Sequence, residues 1–333
     1  MNHRNLSRRS FIAAAAIGTV ALARAGRAGT KHSAPLFFFV YFKEGERHAL
    51  EGKKLTGGGA GAYLAWSQDG LDWREANSGR HVFKQHVGKM CRDPFIARGP
   101  DNTFHLTWTT GWQRRDIGYA CSSDLVHWQN EKLIPVMGHE PAAMNCWAPE
   151  IFYDDLAGQF IVFWSTTIPG AFPETQGAGD GPYNHRIYFT TTRDFVTFAP
   201  AALLYDPGSN CIDADIVKAD DGYVMILKNE TRYPPAKNLI MSRAKSPAGP
   251  WGPPTVIVPE GAWVEGPATI KINDHWLVYY DRYVERKYGV IASSDLIKWE
   301  NWSDRLRIIK GAKHCGIFAI GKDELAKLAV SLD

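Results

Sequence analysis

Five times along the chain an apolar run ends in a turn closed by an aromatic residue, and no other feature limits the fold as strongly. In four copies a small hydroxyl residue, any residue and an aspartate precede the aromatic: S-Q-D-G-L-D-W ending at Trp73, S-S-D-L-V-H-W at Trp128, T-R-D-F-V-T-F at Phe198 and S-S-D-L-I-K-W at Trp299. A shorter copy, S-P-A-G-P-W, ends at Trp251. Ser, Asp and Gly favour turns because their side chains bond nearby backbone or permit a left-handed residue. The runs before them, such as Ala62–Trp66 and Ile117–Ala120, read as strands, and the aromatic is placed to cap an apolar core.

A second element alternates with the first: R-D-P-F-I from Arg92, W-A-P-E-I from Trp147, I-D-A-D-I from Ile212, E-G-P-A-T-I from Glu265 and H-C-G-I-F from His314. After each of the first four comes a turn and a run rich in β-formers, at Phe104–Thr109, Phe160–Trp164, Tyr223–Leu227 and Trp276–Tyr280. Opening strands and outer hairpins in equal number predict an all-β, five-bladed β-propeller over 34–333, with a period of about fifty to sixty-five residues. Leu36–Arg74 holds a hairpin without an opening strand, and Cys315–Ile320 an opening strand without a hairpin. The last blade is therefore expected to be closed by both termini, which removes an exposed sheet edge. Gly57–Gly61 and Thr166–Arg186 read as loops, the second long enough to form a binding rim.

The innermost strand of each blade lines the channel, so equivalent residues of the opening strands converge. In register, Asp93, Ala148, Asp213, Gly266 and His314 share one level, with Arg92, Trp147, Ile212 and Glu265 one step earlier. Three acids from three blades thus meet, although unpaired buried charge costs several kcal/mol. Glycoside hydrolysis uses such a set: one acid protonates the leaving oxygen, one carboxylate deprotonates water, and a third raises the acid's pKa. Trp147, Trp112 and Tyr283 are candidates to stack on sugar faces. Glu150 and Arg92, which flank the acids in sequence, and His185 and Arg186, which end the long loop, are further candidates to contact substrate. Arg282 has two readings, a pocket carboxylate partner or an outward salt bridge.

Ser7-Arg8-Arg9-Ser10-Phe11 and the apolar run Ile12–Ala23 read as a twin-arginine signal over 1–30, predicting a periplasmic or secreted protein. The run is too short and small for a permanent anchor, so no membrane association is expected of the mature chain. Five arginines lie in that segment and no acid, so its removal takes the formal charge from +3 to about −2. That excludes a basic nucleic-acid-binding protein. Five cysteines without a close pair argue against a disulfide framework. Cys91, Cys146 and Cys211, one residue before Arg92, Trp147 and Ile212, read as small buried side chains rather than a thiolate metal site.

The opening motifs resemble those of glycoside hydrolase family 43 from about Leu36 to the C-terminus. That family's pattern has Asp-Pro, Trp-Ala-Pro before an acid, Ile-Asp-Pro and Glu-Gly-Pro; this chain differs in carrying Ala214 where Pro is frequent, which brings Asp215 close to Asp213. The resemblance implies Asp93 as general base, Asp213 as pKa modulator and orienter, Glu265 as general acid, and inversion at the anomeric carbon. It implies no required cofactor, with room for a structural calcium on the axis near His314, reached through water because calcium prefers oxygen ligands. The expected substrate is an oligo- or polysaccharide, cleaved by an exo-acting α-L-arabinofuranosidase. A β-xylosidase, a galactofuranosidase and, from another class, a non-catalytic carbohydrate-binding propeller stay open.

Overall fold

The computed structural model describes residues 35–43, 49–50, 53–54, 61–259 and 261–332; the signal expected over 1–30 and the glycines at 57–59 lie outside them. Five four-stranded sheets account for nearly all regular structure among the described residues. The first blade runs Arg92–Arg98, Phe104–Thr109, Ile117–Ser122 and Trp128–Ile134. The second runs Trp147–Asp154, Gln159–Thr167, His185–Thr192 and Ala202–Tyr205. In the third come Cys211–Ala219, Gly222–Asn229, Asn238–Ala244 and Thr255–Val256. The fourth has Glu265–Ile272, His275–Arg282, Lys287–Ser293 and Glu300–Asn301. In the fifth, Ala312–Ile320 is innermost and pairs antiparallel with Leu36–Lys43, followed by Tyr63–Ser67 and Arg74–Glu75. The β-propeller closed by both ends of the chain is therefore the observed fold.

The second strand of each blade explains why these segments read as unbroken apolar runs. Leu36–Phe42 and Phe104–Thr109 are buried at every position, because both faces of a blade pack against neighbours. Five apolar clusters result, one between each pair of adjacent blades. Each repeated aromatic serves a different one: Trp128, Trp73, Phe198, Trp251 and Trp299 in turn. The turns before them share one geometry. Ser67, Ser122 and Thr192 accept a backbone N–H three residues on, at 2.9, 3.0 and 2.9 Å. Asp69, Asp124, Asp194 and Asp295 accept the next two amides beyond their neighbour through one oxygen, all within 2.8–3.0 Å.

The long loop is shorter than expected. Thr166, Thr167, His185 and Arg186 pair as strand residues, so it spans 168–184. Arg186 is buried against Asp206 instead of standing at the rim. The five cysteines are free, and Cys91, Cys146 and Cys211 are buried. No helix among the described residues is long and apolar enough to cross a membrane.

Candidate active site

Each opening strand carries a bulge, and in all five the displaced residue takes a left-handed backbone. Pairing skips from Arg92 to Phe95, Trp147 to Glu150, Ile212 to Asp215 and Glu265 to Ala268; in the fifth blade His314 is skipped. The φ angles are +49° at Asp93, +46° at Ala148, +55° at Asp213, +57° at Gly266 and +31° at His314. A bulge re-aims side chains, and residues other than glycine adopt this backbone only where surroundings enforce it. The sequence register for this level is thus reproduced residue by residue. At Gly266 a side chain is also excluded by space: a Cβ would stand 2.9 Å from Cγ of His314.

The second strand of each of the first four blades reaches the opening strand of its own blade or of the next. Thr109, opposite Arg92, donates its hydroxyl to Asp93 Oδ2 at 2.7 Å and accepts the Ala148 N–H at 2.8 Å. Ser165, opposite Trp147, accepts the Asp213 N–H at 3.1 Å. Lys228, opposite Ile212, donates to Glu265 Oε2 at 3.0 Å. Asp281, opposite Glu265, pairs with Lys313 at 3.1 Å. Asp213 Oδ2 accepts the Gly266 N–H at 3.1 Å, and His314 turns Nδ1 to Asp93 at 3.4 Å and Asp213 at 3.9 Å. All three acids therefore belong to one connected cluster.

Their surroundings differ. The side chain of Glu265 is 26% exposed, that of Asp93 13% and that of Asp213 7%. Burial raises the Asp213 carboxyl to about 7; His314 and Lys228 oppose that rise, while Glu265 and Asp93 reinforce it. Burial also pushes Glu265 up, but Lys228 and then His314 and Arg92 more than offset it, leaving this carboxyl below its ordinary value. The expected elevation of Glu265 is thus not present in the resting site. The reason is Lys228, a buried lysine beside Glu265 and Glu230, which sequence reading passed over. Its signal was available: a charged residue closing the run Tyr-Val-Met-Ile-Leu-Lys at the position that Thr109 and Ser165 hold in their blades.

Of the residues expected to contact substrate, Trp147, Trp112, Arg92 and Tyr283 lie around these acids. The indole N–H of Trp147 donates to the Trp112 carbonyl at 3.0 Å, and the two rings meet edge to face at 5.7 Å. Trp112 is 44% exposed. The Arg92 guanidinium sits between the rings of Phe42 and Trp112, 4.5 and 4.8 Å from their centres. Tyr283 presents its ring 4.6 Å from Lys228 Nζ.

Three expected contacts are placed elsewhere. Glu150 is buried one strand repeat further along the channel, where it shares a hydrogen bond with Asp215; burial, then Asp215 and Asp213, push its carboxyl well up. His185 is buried behind Trp147 and Tyr183, with ring centres 4.7 and 5.1 Å away, and burial lowers it to about 3, so it is neutral. Arg282 takes the outward alternative, pairing with Glu285 in the following turn. For calcium, His314 offers no direct ligand set: its Nδ1 is committed to two carboxylates, and no group of three His, Cys, Asp or Glu among the described residues is arranged to hold a metal ion. The donors do not fit a direct calcium site.

The match to a known family follows this geometry. Residues 36–326 match the family model described as a probable glycosyl hydrolase domain, related to glycoside hydrolase family 43. The chain belongs to family 43. It is 24% identical over 301 residues to an α-L-arabinofuranosidase of Bifidobacterium longum subsp. longum, covering 74% of this chain and 28% of that protein. The chain thus spans little more than a quarter of that relative. Among solved structures, a thermostable family 43 glycoside hydrolase is 17% identical with a TM-score of 0.52, over 71% of this chain and 85% of that one. The α-L-arabinofuranosidase of Lactobacillus brevis is 18% identical with a TM-score of 0.50, over 64% and 72%. At these identities the structural likeness establishes the fold.

Proposed function

We propose that this family 43 chain is an exo-acting, inverting glycoside hydrolase that releases a pentose or furanose from oligo- or polysaccharide, an α-L-arabinofuranosidase before a β-xylosidase or galactofuranosidase. The observation that carries this is the meeting of Asp93, Asp213 and Glu265 from three blades, graded in exposure. Glu265, the most open, faces an incoming leaving group and gives its proton to the glycosidic oxygen as the C–O bond breaks. Asp93, oriented by Thr109, takes a proton from the water whose oxygen bonds the anomeric carbon from the opposite side. Asp213 anchors the floor through the Gly266 amide and supplies the negative field that keeps a proton within the cluster. The exposed Trp112 and the Trp147 ring offer a sugar platform. The arabinofuranosidase preference rests on the two relatives of that name.

Release of sugar from aryl furanosides and pyranosides tests the reading, with proton NMR of the first-formed anomer. The wild type should invert, and Glu265→Gln should lose about 10²- to 10⁴-fold on substrates with poor leaving groups. Retention of configuration, or full activity in that variant, refutes the scheme. Sugar binding without any hydrolysis by the wild type would make the chain a carbohydrate-binding propeller. We also propose twin-arginine export to the periplasm or beyond, from Arg8 and Arg9. Replacing both by lysine should leave the protein inside cells; unchanged export excludes that route.

A further inference from the structure

The cation against Glu265 is part of a longer device. Lys228 is 2% exposed and stands 3.0 Å from Glu265 Oε2 and 2.7 Å from Glu230 Oε2. Glu230 also meets Lys237, itself buried, at 2.7 Å. Lys237 in turn contacts Asp180 in the 168–184 loop, which Arg232 meets at 2.9 Å. Cations and anions therefore alternate from Glu265 to the loop. Glu230, shared by two lysines, cannot neutralise Lys228 alone. Buried ammonium groups are costly without a matching anion, so the chain stabilises Glu265 as its closing carboxylate.

We propose that Lys228 is a positioning residue for the acid, fixing Glu265 by Oε2 and making it a stronger acid, with Glu230 behind it tuning the effect. The inference deepens the hydrolase reading and rests on it. With Oε2 held by the ammonium, Oε1 is left to carry the transferable proton. Lys228 favours the carboxylate left after proton transfer, which aids cleavage of substrates with poor leaving groups. The same contact requires a lower pH to load the proton. Other charges face Glu265 as well. Arg92 and His314 act in the same direction as Lys228, whereas Asp213 and Asp281 oppose them. Asp93 lies beyond His314, Lys313 engages Asp281, and Tyr283 lies beside Lys228. Among these, Lys228 is the only group hydrogen-bonded to the Glu265 side chain in the described residues.

The test compares wild type, Lys228→Met and Glu230→Gln by pH profiles of kcat/KM on aryl arabinofuranosides, alongside a carboxyl ¹³C NMR titration of Glu265 that needs no turnover. Removing an opposite charge at this range should raise the alkaline limb and the Glu265 titration by roughly one unit or more in Lys228→Met. Glu230→Gln frees Lys228 to act more strongly on Glu265, so both should move down. A residue serving only structure would lower activity without opposite displacements. An unmoved Glu265 titration in either variant, or displacement of both in the same direction, overturns the proposal. If Lys228→Met does not fold, Glu230→Gln decides alone. Opposite NMR displacements in a protein that hydrolyses nothing would leave Lys228 in place and remove the hydrolase reading instead.

Discussion

Two levels of carboxylates line the same channel, and they meet opposite fates. At the upper level every acid has a donor: Thr109 for Asp93, the Gly266 amide for Asp213 and Lys228 for Glu265. One strand repeat further on, Glu150 and Asp215 are buried with one oxygen each lacking a partner, and among the described residues no cation pairs with either. Burial raises Asp215 to about 6, with Thr269 opposing the rise. Glu150 rises further because Asp215 and Asp213 add to burial. The difference shows that position on the axis does not by itself set a carboxylate's proton affinity. Donors from the same or an adjacent blade hold the upper acids, whereas the lower pair has no cation beside it among the described residues and burial pushes both carboxyls toward the protonated form.

The largest expected effect breaks the upper level alone. Asp93→Asn keeps the shape and the Thr109 contact with Ala148, so kcat/KM should fall about 10²- to 10⁴-fold while the melting temperature barely moves. Activity near wild type would remove Asp93 as base. Next in size is the lower level, read by stability rather than turnover. A carboxyl raised in the folded state stabilises it below the unfolded value and loses that contribution as pH climbs through the folded value. For Asp215 the window runs from about 4 to about 6, with Asp213 extending it to about 7. Asp215→Asn should therefore gain stability relative to wild type between pH 4 and pH 8, by about 2 to 3 kcal/mol in denaturant melts. Parallel curves across that range would show that the lower pair is not neutralised. The smallest effect separates holding from chemistry. Thr109→Val leaves the Ala148 amide without its acceptor, costing about 1 to 3 kcal/mol, and should slow turnover about tenfold by loosening Asp93. Ser165→Ala should cost similar stability with less effect on rate, since Ser165 holds the Asp213 backbone and not its carboxyl. Equal kinetic losses in the two would dissolve the distinction.

Much of this was legible because a propeller writes its symmetry into the chain. The repeated turns identified the blades, and the opening motifs placed Asp93, Ala148, Asp213, Gly266 and His314 at one level, where the five left-handed bulges stand. What eluded the reading depends on which neighbours each side chain meets in space. Arg282 took its neighbour Glu285, His185 went behind Trp147, and Glu150 descended to a buried pair, since two residues of strand separate one channel level from the next. Lys228 escaped notice because its meaning depends on a carboxylate 37 residues later.

The sequence by itself determined the number of blades, the closure of the last one and the set of acids brought to the axis, because strand period and turn chemistry are local and recur. Only the tertiary structure decided how Asp213 and Glu265 differ in proton affinity. Proton affinity depends on burial and on charges within a few ångströms, and here those charges come from different blades: Lys228 holds Glu265 low while Asp213, sunk beneath it, is raised.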